Sequence, residues 1–384
     1  MHLLVLANDL GRTAPGIVYE TILREMCIKS EVSLITVEGS SVEYDGICLL
    51  PNAKKFKEKR WMENMQISLF GRSLYDDFWL FRQKRLIDSE TVGKQDVIVS
   101  FASNHNFKSI ILGHYLSRRY GKPWVIYLVD AVPAPIGWLK SKRLHNSTKR
   151  FIRRYIKSAD ALFSSNGQML EYQLSDISFD KPKGVLYTPI RSMSPVMCDT
   201  GNGADPYLLY TGGLYGARKP ELLVEAFRKL LERYPKCKLV FVGIGDYNLE
   251  NCNDLIEAGK IEIHGYVKDL TPFYEKATVL LDLNSYFDND IFLSSKIVNY
   301  LPINRPIVSI TGLNSPSRNI FTEDPSILHC RYDASEICLA LEQSIENNTV
   351  NRVSRQHYLT IFSAESNVDR FLKALSGVCS CFGE

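Results

Sequence analysis

The chain has 384 residues, of which 45% are hydrophobic and 23% are charged, and its formal net charge is +3. This length and composition are typical of a soluble globular protein with room for two domains. The net charge is too small to indicate a nucleic-acid-binding protein. The nine cysteines include no C-x-x-C pair, which favours scattered reduced thiols over a zinc or redox motif and indicates a reducing compartment.

The chain begins with a short apolar segment, Leu3–Ala7, without a basic leader. The segment is too short for the core of a signal peptide and is predicted to be the first strand of the fold. No apolar run in the sequence approaches the roughly 18 residues that a membrane-spanning helix needs. We therefore expect a cytoplasmic protein, with peripheral attachment to the inner face of a membrane left open.

Short apolar strands alternate with helical patterns in the first half of the chain. This alternation is typical of βαβ units and a parallel sheet. The predicted strands are Leu3–Ala7, Val32–Val37, Val97–Phe101, Trp124–Val129 and Ala161–Ser164. Residues 1–186 are therefore predicted to form one Rossmann-like domain.

Three segments that follow predicted strands are candidates for ligand contacts. Gly16 ends a glycine-containing loop that precedes an amphipathic helix, His105 lies in a polar loop, and Asp130 ends the strand Trp124–Val129. Ligands of open α/β sheets bind outside the carboxyl ends of the strands. A carboxylate there can orient an acceptor or act as a base. An aspartate that only caps the following turn would produce the same pattern.

Two segments of the first half are basic and aromatic. Between Asp130 and Asp160 the chain has eight Lys or Arg residues and no acid. Interleaved with them at helical spacing are Phe151, Ile152, Tyr155 and Ile156. A second segment, Lys54–Met62, continues into the aromatic residues Phe70, Tyr75, Phe78, Trp79 and Phe81. Basic amphipathic segments dock onto anionic lipid, so we expect an anionic membrane surface as a partner. The alternative is a solvated helix face whose apolar residues pack in the core. No RNA-binding motif accompanies either segment, and no nucleic-acid partner is predicted.

The second half repeats the strand and helix alternation after an aperiodic stretch. Residues 187–206 contain three prolines and two glycines and are predicted to be a linker. The strands predicted after it are Tyr207–Thr211, Lys238–Val242, Glu262–His264, Val279–Leu283 and Pro306–Ile310. Residues 207–362 are predicted to form a second Rossmann-like domain. Residues 363–384 are predicted to form a C-terminal helix that closes this domain or packs back on the first.

A glycine turn and two cations follow the first strand of the second series. Gly212 and Gly213 permit a tight turn, and Arg218 and Lys219 precede a helix that begins near Pro220. The N-terminus of a helix favours anions, and two cations there suit a diphosphate. The segment contains neither G-x-G-x-x-G nor G-x-x-x-x-G-K-[ST], which argues against NAD and against a P-loop. A solvated basic pair at a helix start is the alternative.

Four stretches in this order resemble the nucleotide-sugar half of glycosyltransferase family 4, whose members are retaining enzymes with the GT-B fold. They are the strand end Val240–Asp246 and the segments Ile261–Leu270, Phe273–Asp282 and Phe292–Val308, and the family's pattern begins with the glycine turn and its cations that precede them. The resemblance covers roughly residues 207–312 well and the first half loosely. It implies an α/β protein of two Rossmann-like domains whose parallel sheets face each other across a central cleft.

The resemblance also implies an activity and its partners. A sugar would move from a UDP- or GDP-linked donor to a glycan acceptor. The acceptor would be lipid-linked or part of a surface polysaccharide such as lipopolysaccharide, O-antigen, capsule or exopolysaccharide. No cofactor and no metal are expected, because Arg218 and Lys219 would neutralise the leaving diphosphate. The alternatives are an inactive relative that acts as a binding or scaffold partner, a nucleotide-sugar epimerase, or an NAD-dependent oxidoreductase.

Carried over by position, the resemblance assigns individual residues. Arg218 would bind the donor diphosphate with Lys219 assisting. The candidate acceptor contacts Asp130 and His105 rest on their places after predicted strands and not on the resemblance. The implied donor-binding positions are Gly16, Gly212, Gly213, Gly243, Gly245, Tyr266, Val267, Asp290, Ser294, Ser295, Lys296 and Asn299. Asn299 stands where the family has a glutamate that binds ribose hydroxyls, and an amide can hydrogen-bond there but carries no charge.

Overall fold

The computed structural model describes residues 1–8, 10–11, 13–36, 47–53, 59–103, 107–192, 205–214, 216–243, 249, 252–347, 349–350 and 352–382. The chain divides into two compact units, one made of Met1–Pro189 with Ala364–Glu384 and the other of Ile190–Ser363. In the described part of the chain, each unit contains one parallel β-sheet with helices around it. The predicted α/β class with two Rossmann-like domains is confirmed.

The sheet of the first unit has seven strands among the described residues, in the order β3-β2-β1-β4-β5-β6-β7. The strands are β1 (His2–Leu6), β2 (Glu31–Ile35), β3 (Ile47–Leu49), β4 (Val97–Ala102), β5 (Trp124–Leu128), β6 (Ala161–Ser164) and β7 (Lys183–Val185). Successive side chains of a strand point to opposite faces. Leu3 and Val5 therefore join one core cluster, and Leu4 and Leu6 join another. Because both faces are covered, the central strands are almost entirely apolar.

The helices of the first unit before the linker are α1 (Ala14–Lys29), α2 (Arg60–Phe70), α3 (Leu74–Gln83), α4 (Ser89–Gly93), α5 (Lys108–Tyr120), α6 (Lys142–Ser158) and α7 (Gly167–Leu174). Several begin at a side-chain cap, which satisfies a backbone N–H that the helix itself leaves unpaired. Thr13 accepts a hydrogen bond from the Gly16 amide at 3.1 Å, and Asn166 accepts one from Met169 at 2.9 Å.

The second unit repeats this architecture with the strand order β10-β9-β8-β11-β12-β13. Its strands are β8 (Tyr207–Thr211), β9 (Lys238–Val242), β10 (Ile261–His264), β11 (Val279–Leu283), β12 (Ile307–Ile310) and β13 (Ile327–Cys330). Its helices are α8 (Glu221–Arg233), α9 (Asn253–Glu257), α10 (Thr271–Lys276), α11 (Ser295–Tyr300), α12 (Pro316–Ile320), α13 (Ala334–Glu346) and α14 (Arg352–Ile361). Every strand predicted from the sequence corresponds to an observed strand, whereas β3, β7 and β13 were not predicted.

The last helix, α15 (Ala364–Phe382), belongs to the first unit. Its apolar residues Val368, Phe371, Leu375 and Val378 enter the core cluster that also contains the buried residues of α1. The Phe371 ring lies edge-on to Phe163 with 4.8 Å between centroids, and Asp369 pairs with Lys29 of α1 at 2.5 Å. The structure therefore decides a placement that the sequence left open. Residues 193–204 of the predicted linker lie outside the described residues.

Within the described part of the chain, no helix is both long enough and apolar enough to cross a membrane.

Candidate active site

The strand order of the second unit reverses between β8 and β11, which lie side by side in the sheet. The loops that follow these two strands diverge at this point, and they leave a crevice at the carboxyl edge where open α/β sheets bind ligands. The loop after β8 carries Gly212 and Arg218, and the loop after β11 carries Asp290 and Ser294. The chain topology thus brings together residues that are far apart in the sequence.

Two glycines at this edge hold backbone conformations that other residues rarely adopt. Gly212 has φ +105° and Gly243 has φ +91°. The Gly212 amide donates to the Val242 carbonyl at 2.7 Å, and the Gly243 amide donates to the His264 carbonyl at 2.9 Å. A methyl group added to Gly243 would lie 3.4 Å from the Gly212 Cα. The two turns are therefore in direct backbone contact, and the floor of the crevice is bare main chain.

Lys296 crosses this floor from the opposite loop. It lies in the first turn of α11, where its amide donates to the capping hydroxyl of Ser294 at 3.2 Å. A methyl group on Gly212 would lie only 2.6 Å from the Lys296 Cε. The Lys296 Nζ lies 5.3 Å from the centroid of the Tyr210 ring. The missing side chain of Gly212 is what gives Lys296 its path.

The surroundings of Lys296 disfavour its positive charge. Burial is the main cause that lowers its pKa from 10.5 to about 7, and the nearby Arg218 guanidinium lowers it further, while Asp282 opposes the shift. Two cations held close together, one of them largely desolvated, form a place where an anion relieves their repulsion. Arg218 and Lys296, both predicted from the sequence as donor contacts, are thus brought together by the fold.

Asp290 supports the loop after β11 from inside. Its side chain is buried and accepts hydrogen bonds from the Ser285 hydroxyl at 2.7 Å and from the Phe292 amide at 3.1 Å. Burial raises its pKa, and these hydrogen bonds and the charge of Arg218 act against that increase. The loop passes so close to Gly312 that a methyl group there would lie 2.6 Å from the Asp288 carbonyl oxygen. In this structure the Asp290 carboxylate orders the crevice loop.

The structure separates the two predicted cations of the β8 loop. Arg218 is partly buried and acts on Lys296 and Asp290. Lys219 is exposed, and its Nζ lies 5.1 Å from the centroid of the Tyr286 ring. Arg218 is therefore the cation of this pair that faces the interior of the crevice.

Asn299 is engaged within the protein. Its amide nitrogen donates to the Ser295 carbonyl at 2.7 Å, and its amide oxygen accepts from the Arg191 amide at 3.0 Å. A ribose contact of the kind that the resemblance implies would therefore compete with at least one of these hydrogen bonds.

The other predicted donor contacts of the second unit that the structure describes lie along the same edge. The Gly213 carbonyl accepts a hydrogen bond from the Tyr210 hydroxyl at 3.1 Å. Tyr266 follows β10 with 88% of its surface exposed, and Val267 beside it is partly buried. Gly245 lies outside the described residues.

The candidates of the first unit follow β1, β4 and β5. Gly16 is buried in the first turn of α1, where its amide is capped by Thr13. Asp130 follows β5 and is partly buried. Burial, and secondarily the charge of Asp130, raise the pKa of the Tyr127 hydroxyl. His105 lies outside the described residues.

One buried polar group that acts on the crevice was missed by the sequence analysis. Asp282 lies on β11 and accepts hydrogen bonds from Asn284 at 3.1 Å and Ser309 at 3.0 Å. Its charge favours the protonated form of Lys296. The signal was present in the sequence, because an aspartate inside an apolar strand is rarely buried without a partner.

Among the residues that the structure describes, no group of three or more His, Cys, Asp or Glu side chains could hold a metal ion.

Comparisons with known proteins agree with this architecture. The family model for glycosyl transferases group 1 matches residues 205–347. The chain is similar in structure to sucrose-phosphate synthase from Thermosynechococcus elongatus, with a TM-score of 0.70 and 13% identity over 99% of each chain. It is similar to Alr3699/HepE from Anabaena in complex with UDP, with a TM-score of 0.65 and 12% identity over 98% of this chain and 100% of that one. It is also similar to the lipopolysaccharide outer core galactosyltransferase WaaB, with a TM-score of 0.63 and 15% identity over 98% and 99%.

No curated protein matches the sequence. The family match covers the unit that contains the crevice, and the structural matches cover nearly the whole chain at low identity. The chain therefore has the GT-B fold, and its residues 205–347 match the glycosyl transferases group 1 family.

Proposed function

We propose that the protein is a retaining glycosyltransferase that moves a sugar from a nucleotide diphosphate donor to a glycan acceptor. The observation that carries the proposal is the convergence of Arg218 and Lys296 over the bare turn at Gly212. Such a pair can hold a diphosphate and stabilise it as it leaves the sugar. UDP and GDP are both candidate carriers. UDP is the first to test, because the similar Anabaena protein was solved with UDP and with UDP-glucose.

The reaction that we propose takes place on one face of the sugar. The bond between the anomeric carbon and the diphosphate oxygen breaks, and the acceptor hydroxyl oxygen bonds to the same face of that carbon. The acceptor proton passes to the departing diphosphate. Arg218 and Lys296 stabilise the negative charge that develops there, and Lys219 adds to their field. The protein's main task is then to position both substrates, and Asp130 and His105 are the proposed acceptor-orienting residues.

We further propose that the acceptor is a lipid-linked glycan or a growing surface polysaccharide. One of the similar structures is a lipopolysaccharide outer core galactosyltransferase, which makes this acceptor class the first to test. Helix α6 exposes several cations, among them Arg143, Arg150 and Lys157. Cations on one surface favour an anionic membrane, where lipid-linked acceptors reside. The proposed location is the inner face of a membrane.

The first experiment is a thermal-shift panel of UDP, GDP, ADP and NAD. Stabilisation by UDP or GDP supports the proposal, because a ligand that binds only the folded state raises the midpoint. Stabilisation by NAD alone would contradict it and would favour an oxidoreductase or an epimerase.

The second experiment measures release of the nucleotide diphosphate by Arg218→Ala. Loss of one preorganised charge at the leaving group should lower kcat about 100- to 1,000-fold without unfolding the protein. The matched control is Arg228→Gln, an arginine on α8 that is 41% exposed and pairs with Asp254. Turnover by Arg218→Ala at the rate of this control would overturn the assignment.

A non-catalytic binding role is the second candidate function. It is favoured by the internal hydrogen bonds of Asn299 at the position of the family's glutamate. Tight binding of UDP or GDP together with no transfer to any glycan acceptor would support that role.

A further inference from the structure

Helices α2 and α3 form a hairpin whose outer face is apolar. On α2 the outer residues recur every four positions, and on α3 they recur after four and three, so each set forms one stripe. The stripes are Trp61, Met65 and Leu69 on α2, and Leu74, Phe78 and Phe81 on α3. The exposed fractions of these six residues range from 45% to 63%. Phe70, at the end of α2, is 62% exposed. A contiguous exposed apolar surface on a soluble protein marks an interaction site.

The opposite face of the hairpin packs into the core of the first unit. The exposed stripes are therefore a second apolar face of these helices and not the face that packs in the core. Ile67 and Trp79 are buried on that side. The Gln66 side chain of α2 accepts a hydrogen bond from the first amide of α3, at Leu74, at 3.0 Å. Asp76 of α3 forms a buried ion pair with Lys108 of α5 at 3.0 Å. These contacts fix the rotation of both helices about their axes.

Cations border the apolar stripes. Lys84 and Arg85, just beyond α3, lie over the Phe81 ring at 5.0 and 4.1 Å from its centroid. Arg72 lies in the turn between the helices and pairs with Asp77 at 3.0 Å. The only other described acids on the two helices are Asp76, which is paired with Lys108, and the partly buried Glu63. The rim of the hairpin is therefore basic.

Helix α6 continues this basic surface. It packs against α2, and the Ser147 hydroxyl donates to the Ser68 carbonyl at 3.4 Å. Arg72 of the hairpin and Arg154 of α6 both lie close enough to influence the Tyr155 hydroxyl, although burial is the main cause that raises its pKa. The exposed cations of α6 are Lys142, Arg143, Arg150, Arg154 and Lys157.

The sequence left open whether the apolar residues of α6 contact lipid or pack in the core. In the structure they pack inward. Ile152 and Ile156 are buried, and the Phe151 ring packs 5.3 Å from the Phe107 ring. Trp79 of α3, one of the aromatic residues that follow the second basic segment, is also buried. Helix α6 therefore contributes charge alone, and the exposed apolar surface belongs to α2 and α3.

We propose that the outer face of the α2–α3 hairpin inserts into the interfacial region of an anionic bilayer, with Lys84, Arg85 and α6 contacting lipid headgroups. An apolar stripe bordered by cations is the pattern that such surfaces recognise. Single-stranded RNA is a weaker fit, because it requires aromatic stacking platforms and half of the stripe residues are aliphatic. The inference rests on the proposed membrane association, but it does not depend on sugar transfer.

The test is co-sedimentation of the full chain with phosphatidylcholine vesicles, with or without about one quarter phosphatidylglycerol. We expect binding to the anionic vesicles that weakens strongly between about 0.1 M and 0.5 M salt. Lys84→Gln/Arg85→Gln should weaken the partition coefficient about 30-fold, which corresponds to about 1 kcal/mol for each cation. The matched control is Lys236→Gln/Lys276→Gln, two exposed lysines of the second unit, and it should bind like the wild type.

A second pair of variants tests the apolar contribution. Trp61→Ser/Phe78→Ser should weaken vesicle binding about tenfold or more, because it removes two apolar side chains that would insert into the bilayer. The control is Leu339→Ser/Val353→Ser, which removes side chains that are 55% and 83% exposed in the second unit. Unchanged vesicle binding by both hairpin variants, or wild-type binding to single-stranded RNA but not to vesicles, would overturn the inference. UDP affinity should be the same in all four variants, so that a failure of the membrane proposal is distinguishable from a failure of the donor site.

Discussion

Replacement of Lys296 by Met should stabilise the second unit and weaken donor binding at the same time. In the folded protein the pKa of Lys296 is about 7, and its ordinary value is 10.5. The unfolded chain therefore binds more protons than the folded chain between these two values, and the stability of the wild type rises with pH across this window. Between about pH 6 and pH 9 the titration of Lys296 alone should increase the free energy of unfolding of the wild type by about 2–3 kcal/mol. Lys296→Met should lack that increase and be more stable than the wild type at pH 6.

The assay must report on the second unit alone. All four tryptophans of the chain, at positions 61, 79, 124 and 138, lie in the first unit, so their fluorescence does not follow the second. The described cysteines of the second unit, at positions 237, 252, 330 and 338, are all buried. Pulsed thiol labelling in a urea series, read for each peptide by mass spectrometry, measures when this unit opens. Lys219→Met, which removes an exposed lysine of the same loop, is the control.

The same substitution has an opposite effect on ligand affinity. A charge-assisted contact to phosphate contributes about 1.5–3 kcal/mol, so Lys296→Met should bind UDP about 10- to 100-fold more weakly at pH 7. Wild-type affinity should fall from pH 7 to pH 9 as the free protein loses the Lys296 proton. In the Lys296→Met variant, the pH dependence of UDP affinity reports the titration of UDP without that of Lys296. Calorimetry on both proteins therefore separates the titration of Lys296 from that of UDP. Equal pH dependence of stability and of UDP affinity in the two proteins would refute the placement of Lys296 as a phosphate ligand.

Three further outcomes are expected. Gly212→Ala should lose about 1–3 kcal/mol of stability from its backbone conformation and should also bind UDP more weakly, because its methyl group displaces Lys296. The control is Gly243→Ala, because Gly243 has a similar φ and room for the methyl group. It should bind UDP more tightly than Gly212→Ala does. Equal UDP affinities of the two variants, measured where urea denaturation shows both to be folded, would count against the proposed path of Lys296. Arg355→Met should lower the free energy of unfolding of the second unit by about 3–5 kcal/mol, because it leaves Asp324 buried without its 2.8 Å partner. Thiol labelling in a urea series measures this loss. EDTA should leave the rate of sugar transfer unchanged if protein cations alone neutralise the diphosphate, and a loss that Mg²⁺ restores would show that a metal takes part.

Local sequence patterns were sufficient to predict most of the strands of both sheets and some of the residues that line the crevice. Long runs such as Val97–Ala102 are buried on both faces, so their hydrophobicity alone predicts a strand. Gly212 and Arg218 could be placed at a strand end because glycine turns and helix starts are local features. The strands β3, β7 and β13 were not predicted. They are edge strands of three or four residues with mixed exposure, and they carry no clear hydrophobic period.

The features that give this protein its chemistry and its surface were decided by contacts between distant residues. The hydrophobic stripe of α15 shows that the helix packs, but only the fold shows that it packs against α1. Lys296 reaches Gly212 because β8 and β11 are neighbours in the sheet, and nothing near either residue in the chain encodes that pairing. The apolar residues of α2, α3 and α6 look alike in the sequence. Which of them face the core and which face outward depends on the elements packed against each helix, and helical periodicity alone cannot assign one of two apolar faces to the interior.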